Sequence, residues 1–258
     1  MKETKEIENK KKTKKVMLAL ITIFTLVTVL VIVVTKIIEI NKKTSINSNN
    51  YNEVSETCSE SNNVNEINLN SAIDYKPIIY LYPEQESEVT VKLGNEENLT
   101  CTYPKYESEG WKALAKPTGD LVDLKTGRNL YSLYWEGINT KKYNGKLEEG
   151  FVVKGEDTIE FLEEKLEILG LSQTEAQEFI VYWLPQMGNN KYNYIRFQTK
   201  EEIEENMPLE IQPKPDTIIR VMMEWKALDE YVEVKEQKLE TPQRKGFVAV
   251  EWGGTKIK

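Results

Sequence analysis

The sequence predicts an α+β protein: an antiparallel, strand-rich domain with an inserted helical hairpin, preceded by one N-terminal transmembrane helix. Three observations support this prediction. Residues 16–35 form an uninterrupted apolar run, several later segments alternate apolar and polar residues, and residues 157–184 change to a helical period. A period of two is typical of a strand with one buried face, and a period near 3.6 of an amphipathic helix.

The apolar run contains no charged residue, glycine or proline. At about 1.5 Å per residue it spans roughly 30 Å as a helix, the thickness of a hydrocarbon core. Seven lysines against three glutamates over residues 1–15 give a net charge of +4, which favours a cytoplasmic N-terminus. A cleaved signal peptide is the alternative, but its apolar core is usually about 7–15 residues long. We therefore expect a basic cytoplasmic tail over 1–15 and a single-pass membrane anchor over 16–38.

Beyond the anchor, residues 39–73 are rich in asparagine, serine and glutamate and contain few large apolar side chains. This composition cannot bury enough apolar surface to offset chain entropy, so it predicts a flexible linker. Residues 74–258 provide enough chain for one domain with its own core. That domain is expected on the extracytoplasmic side of the cell membrane.

Charge and composition exclude several classes of function. The chain has a formal net charge of −8, and removing the +4 of the N-terminal tail leaves −12 for the remainder. Nucleic acid is therefore not expected as a partner, because its phosphates are bound through excess lysine and arginine. The chain has no histidine, which excludes histidine-dependent hydrolytic triads and imidazole metal sites. We expect no metal and no cofactor.

The two cysteines, Cys58 and Cys101, leave two possibilities open. Cys58 falls in the predicted linker, whereas Cys101 lies on the apolar register of a strand. A free thiol packs there as a small hydrophobic side chain, and the spacing of the two residues matches no known framework. The sequence favours a free thiol at Cys101, with a disulfide as the alternative.

The first half of the domain reads as strands. Residues 77–83, PIIYLYP, are a continuous apolar run between prolines and predict a strand buried on both faces. Residues 88–93 and 99–103 alternate on either side of a short loop, which predicts a hairpin. Three further strands are expected to complete an antiparallel meander: 111–116, 121–123 and 130–135.

The helical hairpin follows. The first helix is predicted by a capping residue and an apolar stripe: Asp157, then Ile159, Leu162, Leu166 and Leu169. Gly170 followed by an apolar residue predicts a Schellman ending. Ser172 and Glu175 predict a capping box that begins the second helix, and Pro185 is expected to mark its end. Two helices joined so closely form an αα-hairpin.

Strands return in the last part of the chain. Residues 192–198 are a strand candidate, and 207–216 are proline-spaced and extended. Residues 217–226 alternate an apolar face with a polar one. The last strand, 246–252, is expected to end at Gly253 and Gly254.

Two strand ends place a carboxylate beside a tryptophan and a glycine: YWEG, with Glu136, and VEWGG, with Glu251. If these ends meet, the two glutamates are the candidate acid and base of a glycoside hydrolase, which needs two carboxylates about 5–10 Å apart. The alternative is that both are turn residues that end strands. The sequence leaves open whether the protein is an enzyme.

Aromatic residues provide the ligand-binding candidates. Tyr134, Trp135 and Trp252 are candidates for a platform that stacks on sugar rings or contacts a protein, and Arg220 for a clamp on an anionic ligand. The alternatives are a core position for each aromatic ring and an ion pair for the arginine.

Several motifs together resemble one family of uncharacterised exported, membrane-anchored proteins of clostridia and related Gram-positive bacteria: KPIIYLYP, LTCTYPKY, YWEG, GFVVKGEDTIEFLEEKLEILGL, EFIVYWLP, PDTIIRV and GFVAVEWGG. The resemblance covers residues 76–255 and implies attachment to the outer face of the membrane. The family has no established activity, so the resemblance implies no ligand or catalytic residue.

We expect a membrane-anchored binding module at the cell surface, whose partner is wall glycan or another envelope protein. Two alternatives stay open. One is a carboxylate-based hydrolase of wall polysaccharide, and the other is an extracytoplasmic sensor or assembly partner of a second membrane protein.

Overall fold

The structure is a computed structural model that describes residues 72–141, 143 and 145–257. Their strands form an eight-stranded and a five-stranded sheet. One face of the larger sheet packs against the smaller sheet, and its other face packs against a helical hairpin. The α+β class is confirmed for this part of the chain.

The helices are α1 Thr158–Ile168, α2 Gln173–Met187 and α3 Lys200–Asn206. The strands are β1 Ala72–Tyr82, β2 Ser87–Leu93, β3 Leu99–Tyr103, β4 Trp111–Ala115, β5 Leu121–Asp123, β6 Asn129–Leu130, β7 Leu133–Asn139, β8 Glu149–Lys154, β9 Tyr192–Phe197, β10 Leu209–Gln212, β11 Thr217–Leu228, β12 Lys235–Glu236 and β13 Val248–Lys256. The larger sheet has the order β12-β8-β9-β11-β13-β1-β7-β3, and the smaller sheet β10-β2-β4-β5-β6. The smaller sheet is antiparallel, whereas the larger one is mixed because β11 pairs in parallel with β13 and β12 in parallel with β8.

Strand β1 lies inside the larger sheet and contributes to a core on each face. Ile78 and Tyr80 point into the helix-side core, while Ile79 and Leu81 point into the core between the sheets. All four side chains are at most 4% exposed. The predicted burial of both faces is confirmed, and each large apolar side chain so buried contributes about 1.5–3 kcal/mol.

The helical hairpin follows the prediction closely. Gly170 has a φ of +88°, and the bonds from its N–H to the Glu167 carbonyl and from Leu171 N–H to the Leu166 carbonyl form the Schellman ending. The capping box of Ser172 and Glu175 is present in both directions. Two details differ. Asp157 caps α1 without a side-chain hydrogen bond. Pro185 does not end α2, which continues to Met187; the proline therefore lies in the last turn of the helix.

The predicted hairpin of β2 and β3 is wrong. Both strands exist, but β2 pairs with β4 and β10 in the smaller sheet, and β3 pairs with β7 in the larger one. The loop between β2 and β3 is bonded to the last residue of α3 and to the segment that follows it: Asn95 Nδ2 donates to the Asn206 carbonyl, and Gly94 N–H donates to the Pro208 carbonyl. Alternation shows that one face of each strand is buried, but it does not select the partner strand.

Two strand limits also need correction. The predicted strand 130–135 is divided into β6 and β7, which belong to different sheets. Strand β13 does not end at Gly253 but runs on to Lys256 between β1 and β11. The glycines allow close packing, because a Cβ on Gly254 would lie 2.7 Å from Cζ2 of Trp183 and one on Gly253 2.9 Å from Cα of Pro77.

Cys101 is disulfide-bonded, so the expected free thiol is wrong. The only other cysteine of the chain, Cys58, lies outside the described residues. The predicted tail and anchor, together with linker residues 39–71, also lie outside them. Among the helices that the structure describes, none combines the length and apolar character needed to cross a bilayer.

Candidate functional site

The two glutamates predicted as an acid–base pair lie on opposite faces of the larger sheet. Glu251 is fully buried on the face toward the smaller sheet, where it accepts hydrogen bonds from Trp135 Nε1 at 2.8 Å and Arg220 Nε at 2.6 Å. Glu136 points to the helix side and accepts a 3.2 Å bond from the backbone N–H of Lys76. With the sheet between them, the two carboxylates cannot approach one glycosidic bond together.

The predicted ligand-binding residues are mostly structural in position. Trp135 and Trp252 are at most 1% exposed, so protein atoms cover both ring faces. The side chain of Arg220 is 7% exposed, and its guanidinium donates to Glu251, Glu204 and the Met207 carbonyl. The core and ion-pair alternatives therefore describe these three residues.

Tyr134 belongs to a half-buried group beside a bulge in β1. Lys76 has a φ of +59° at this bulge, and its ammonium lies 5.7 Å from the ring centres of both Tyr134 and Tyr182. Burial and the charge of Glu136 raise the pKa of Tyr182 to about 12, and the same causes raise the pKa of Tyr134. Both phenols are thus neutral at physiological pH and act as hydrogen-bonding groups rather than as bases.

A second feature is a charged cavity of about 290 Å³ near the end of β11. Glu224 accepts bonds from Lys141 Nζ at 2.5 Å and from Arg196 at 3.1 Å, and Glu202 contacts the same two cations. Burial acts to raise the pKa of Glu202, but the bonds from Arg196 and Lys141 outweigh it and lower this pKa to about 2. Two cations and two anions compensate each other, so the cavity holds an internal ion-pair network.

The third feature is a groove of about 470 Å³ along one edge of β11. Strand β9 pairs with β11 only over residues 223–228 and then turns away into α3. Beyond that point residues 218–221 of β11 line the groove, and residues 237–242, here called the outer segment, form its opposite wall. The structure thus leaves an open length of sheet edge inside a cleft.

Local sequence explains why β9 ends there. Thr199 and Glu202 form a capping box, with a 2.8 Å bond from Thr199 N–H to the Glu202 carboxylate, and this begins α3. The helix is then held by Ile203 in the core between the sheets. The chain therefore leaves the sheet one residue after Phe197.

Gln198 lies at this exit and lines the groove. It is 9% exposed, and its Nε2 is buried without a hydrogen-bond partner among the described residues. A buried polar group without a partner costs about 1–3 kcal/mol, so an acceptor supplied by a ligand would remove this penalty. This side chain is the clearest sign of a binding role in the groove.

The outer segment contributes a side-chain amide, that of Gln237, which hydrogen-bonds to the backbone at the end of β9. The side chain of Gln237 accepts from Phe197 N–H at 2.9 Å and donates to the Phe197 carbonyl at 2.6 Å. A side-chain amide there takes the place of a neighbouring strand. In the adjacent groove, the backbone of residues 218–221 and the amide of Gln198 are groups of the kind that hydrogen-bond to a peptide.

Within the described residues, no group of three or more Asp, Glu or Cys side chains is arranged to hold a metal ion. Comparison with family models, curated proteins and solved structures finds no match. The resemblance to exported clostridial proteins therefore stays a prediction.

Sequence reasoning missed the groove, although two of its signals are readable. Thr199 and Glu202 have capping-box spacing directly after a predicted strand, which indicates where that strand ends. The unpartnered amide of Gln198 has no such signal, because residues 237–242, which line the same groove, are distant from it in the chain.

Proposed function

We propose that this chain is a membrane-anchored binding module on the extracytoplasmic side of the cell membrane, and that its partner is another exported protein. The groove beside β11 is the proposed binding site. Of the two partners expected from the sequence, the protein is the one that the groove favours.

One observation supports this choice above the others. The groove combines an open sheet edge with the buried, unpartnered Nε2 of Gln198. Its volume of about 470 Å³ lies in the range of ligand sites, roughly 300–1,000 Å³. Backbone-like donors and acceptors along a strand edge are the groups that recognise an extended peptide.

The competing functions lack comparable support in the described residues. Sugar stacking needs exposed aromatic faces, whereas Trp135 and Trp252 are buried. A two-carboxylate hydrolase needs Glu136 and Glu251 on one side of a cleft, and the sheet separates them. A role as assembly partner of a second membrane protein agrees with the proposal, because it also needs a protein-binding groove.

The disulfide at Cys101 supports the proposed compartment. Disulfides persist in secreted and surface proteins and are rare in the reducing cytosol. An extracytoplasmic domain behind an uncleaved anchor at 16–38 agrees with this chemistry.

The test is photo-crosslinking of the full-length chain in intact cells. A p-benzoylphenylalanine replaces Lys238, an exposed residue of the outer segment. In a control it replaces Leu124, which is 45% exposed in the turn that follows β5. We expect a protein adduct from position 238, absent from position 124 and reduced by Gln198→Met. Equal adducts at both positions, or no adduct together with retention of the chain on purified peptidoglycan, would show that the proposal is wrong.

A further inference from the structure

We infer that the groove binds its partner by strand addition: an extended segment of the partner pairs with the backbone of β11 at Ile218 and Arg220. This inference rests on the proposed function and names the geometry of the bound partner. It concerns main-chain hydrogen bonding, which the binding function by itself does not require.

The direction of the free backbone groups follows from their neighbours. Gln198 N–H donates to the Met222 carbonyl, so the backbone groups of Met222 face the β9 side of β11. Thr217 N–H and the Trp225 carbonyl are bonded on the β13 side. Because main-chain groups alternate along a strand, the N–H and C=O groups of Ile218 and Arg220 face the β9 side as well.

Strand β9 has ended at that level, so these groups face the groove. No described residue offers them a backbone partner on this side, and the opposite side of β11 is fully paired with β13 over residues 217–225. The groove thus presents two donors and two acceptors at the spacing of a strand ladder.

The groove has room for a short strand. An extended residue occupies roughly 160 Å³, from a rise of about 3.3 Å, a strand spacing of about 4.8 Å and a sheet thickness of about 10 Å. The cavity of about 470 Å³ therefore holds about three residues. Three residues are enough to span from Ile218 to Arg220.

The walls also specify the side chains of the added strand. Ile219 and Val221 point to the helix side, where Leu169 and Leu239 pack at the edge of the core. The other side of the groove is formed by polar residues at the start of α3. Side chains of a strand alternate between these sides, so the partner segment alternates apolar and polar residues, and one of its carbonyls accepts from Gln198 Nε2.

The test uses a peptide probe, acetyl-Thr-Val-Thr-Val-Thr-amide with a fluorescent label, and the full-length chain in mild detergent. Two analogues contain ester bonds in place of amide bonds. In the first, the backbone N–H of both valines is replaced by oxygen, and in the second, that of the threonines. An ester removes an N–H while keeping the shape of the peptide. In a strand, either the valine N–H groups or the threonine N–H groups face β11, but not both. We therefore expect about a tenfold loss of affinity for one analogue and a loss of less than about threefold for the other.

A protein variant tests the same geometry from the other side. Gln198→Met removes the amide and keeps the length of the side chain, and we expect about threefold to tenfold weaker binding of the probe. Gln177→Met, at an exposed position on α2, is the matched control and leaves the affinity unchanged.

The outcomes separate this inference from the proposed function. Equal affinity of both ester analogues and the parent peptide would overturn strand addition while leaving the groove as a binding site. Failure of the parent peptide to bind would also overturn strand addition, and the crosslinks from position 238 then decide the binding function independently.

Discussion

Glu175 connects the start of α2 to Tyr82 and Arg244, two residues that are distant from it in the chain. Its replacement tests how much these contacts stabilise the domain. Its carboxylate accepts bonds from Ser172 N–H at 2.7 Å, from Tyr82 hydroxyl at 2.7 Å, and from Arg244 at 2.9 and 3.1 Å. The side chain is 1% exposed. We predict that Glu175→Gln lowers the free energy of unfolding by about 2 kcal/mol.

The magnitude follows from the partners. Glutamine keeps the shape but offers only one carbonyl oxygen, so one N–H of Arg244 faces an amide N–H and loses its acceptor. The Tyr82 hydroxyl can rotate and accept from the amide instead. A hydrogen bond to a charged group contributes about 1.5–3 kcal/mol, and solvent offsets part of the loss because Arg244 is 31% exposed.

Urea unfolding of the full-length chain, followed by tryptophan fluorescence, measures the change. We expect a lower midpoint with an unchanged slope at about pH 7. Glu163→Gln, at an exposed position on α1, is the control and stays within about 0.5 kcal/mol of the parent. A Glu175→Gln midpoint that coincides with that of the control would refute the reasoning.

The same pair of proteins gives a prediction for pH. Burial acts to raise the pKa of Glu175, but the bonds from Arg244, Ser172 and Tyr82 outweigh it, and the pKa lies below its ordinary value of 4.5. The carboxylate therefore stabilises the fold above that value, and its contribution is lost as pH falls through the lower, folded-state pKa. We expect the difference between parent and Glu175→Gln to shrink below about pH 4.5; a difference that grew on acidification would contradict this.

Three further predictions use the same unfolding assay. Gln198→Met removes an unpartnered buried amide, so we expect stability unchanged or higher by about 1 kcal/mol, and a clear loss would mean that the amide is already satisfied. Gly254→Ala places a Cβ 2.7 Å from the Trp183 ring, and we expect a loss of about 1–3 kcal/mol; wild-type stability would show that β13 can shift. Glu251→Gln removes the buried negative charge that pairs with Arg220, whose side chain is 7% exposed, so a loss of about 3 kcal/mol is expected; a neutral effect would show that Glu204 and the remaining polar contacts suffice for Arg220.

Local signals in the sequence predicted much of the fold. The apolar run at 77–83, the Schellman ending at Gly170 and the capping box at Ser172 are all present in the structure. Each of these features is predicted by residues that are close together in the chain. Examples are the burial of both faces of a strand and the pairing of backbone groups at the end of a helix.

The candidate site was predicted far less well. Glu136 and Glu251 share a local motif, but their faces depend on the register of β7, β1 and β13, and one step along a strand reverses the face. Of the three predicted aromatic residues, only Tyr134 is half-buried, and the Lys76 ammonium lies beside its ring. The groove was not predicted, because no local pattern reports which strand edge stays open.

The sequence by itself determined the strand-rich class, the helical hairpin and the absence of histidine chemistry, since these follow from composition and from periods of two and 3.6 residues. Only the tertiary structure decided that β2 and β3 join different sheets and that β11 keeps a free edge beside Gln198. Segments that are distant in the chain compete as pairing partners for the same strand. Which of them pairs depends on the packing of the whole domain and not on the sequence of either strand alone.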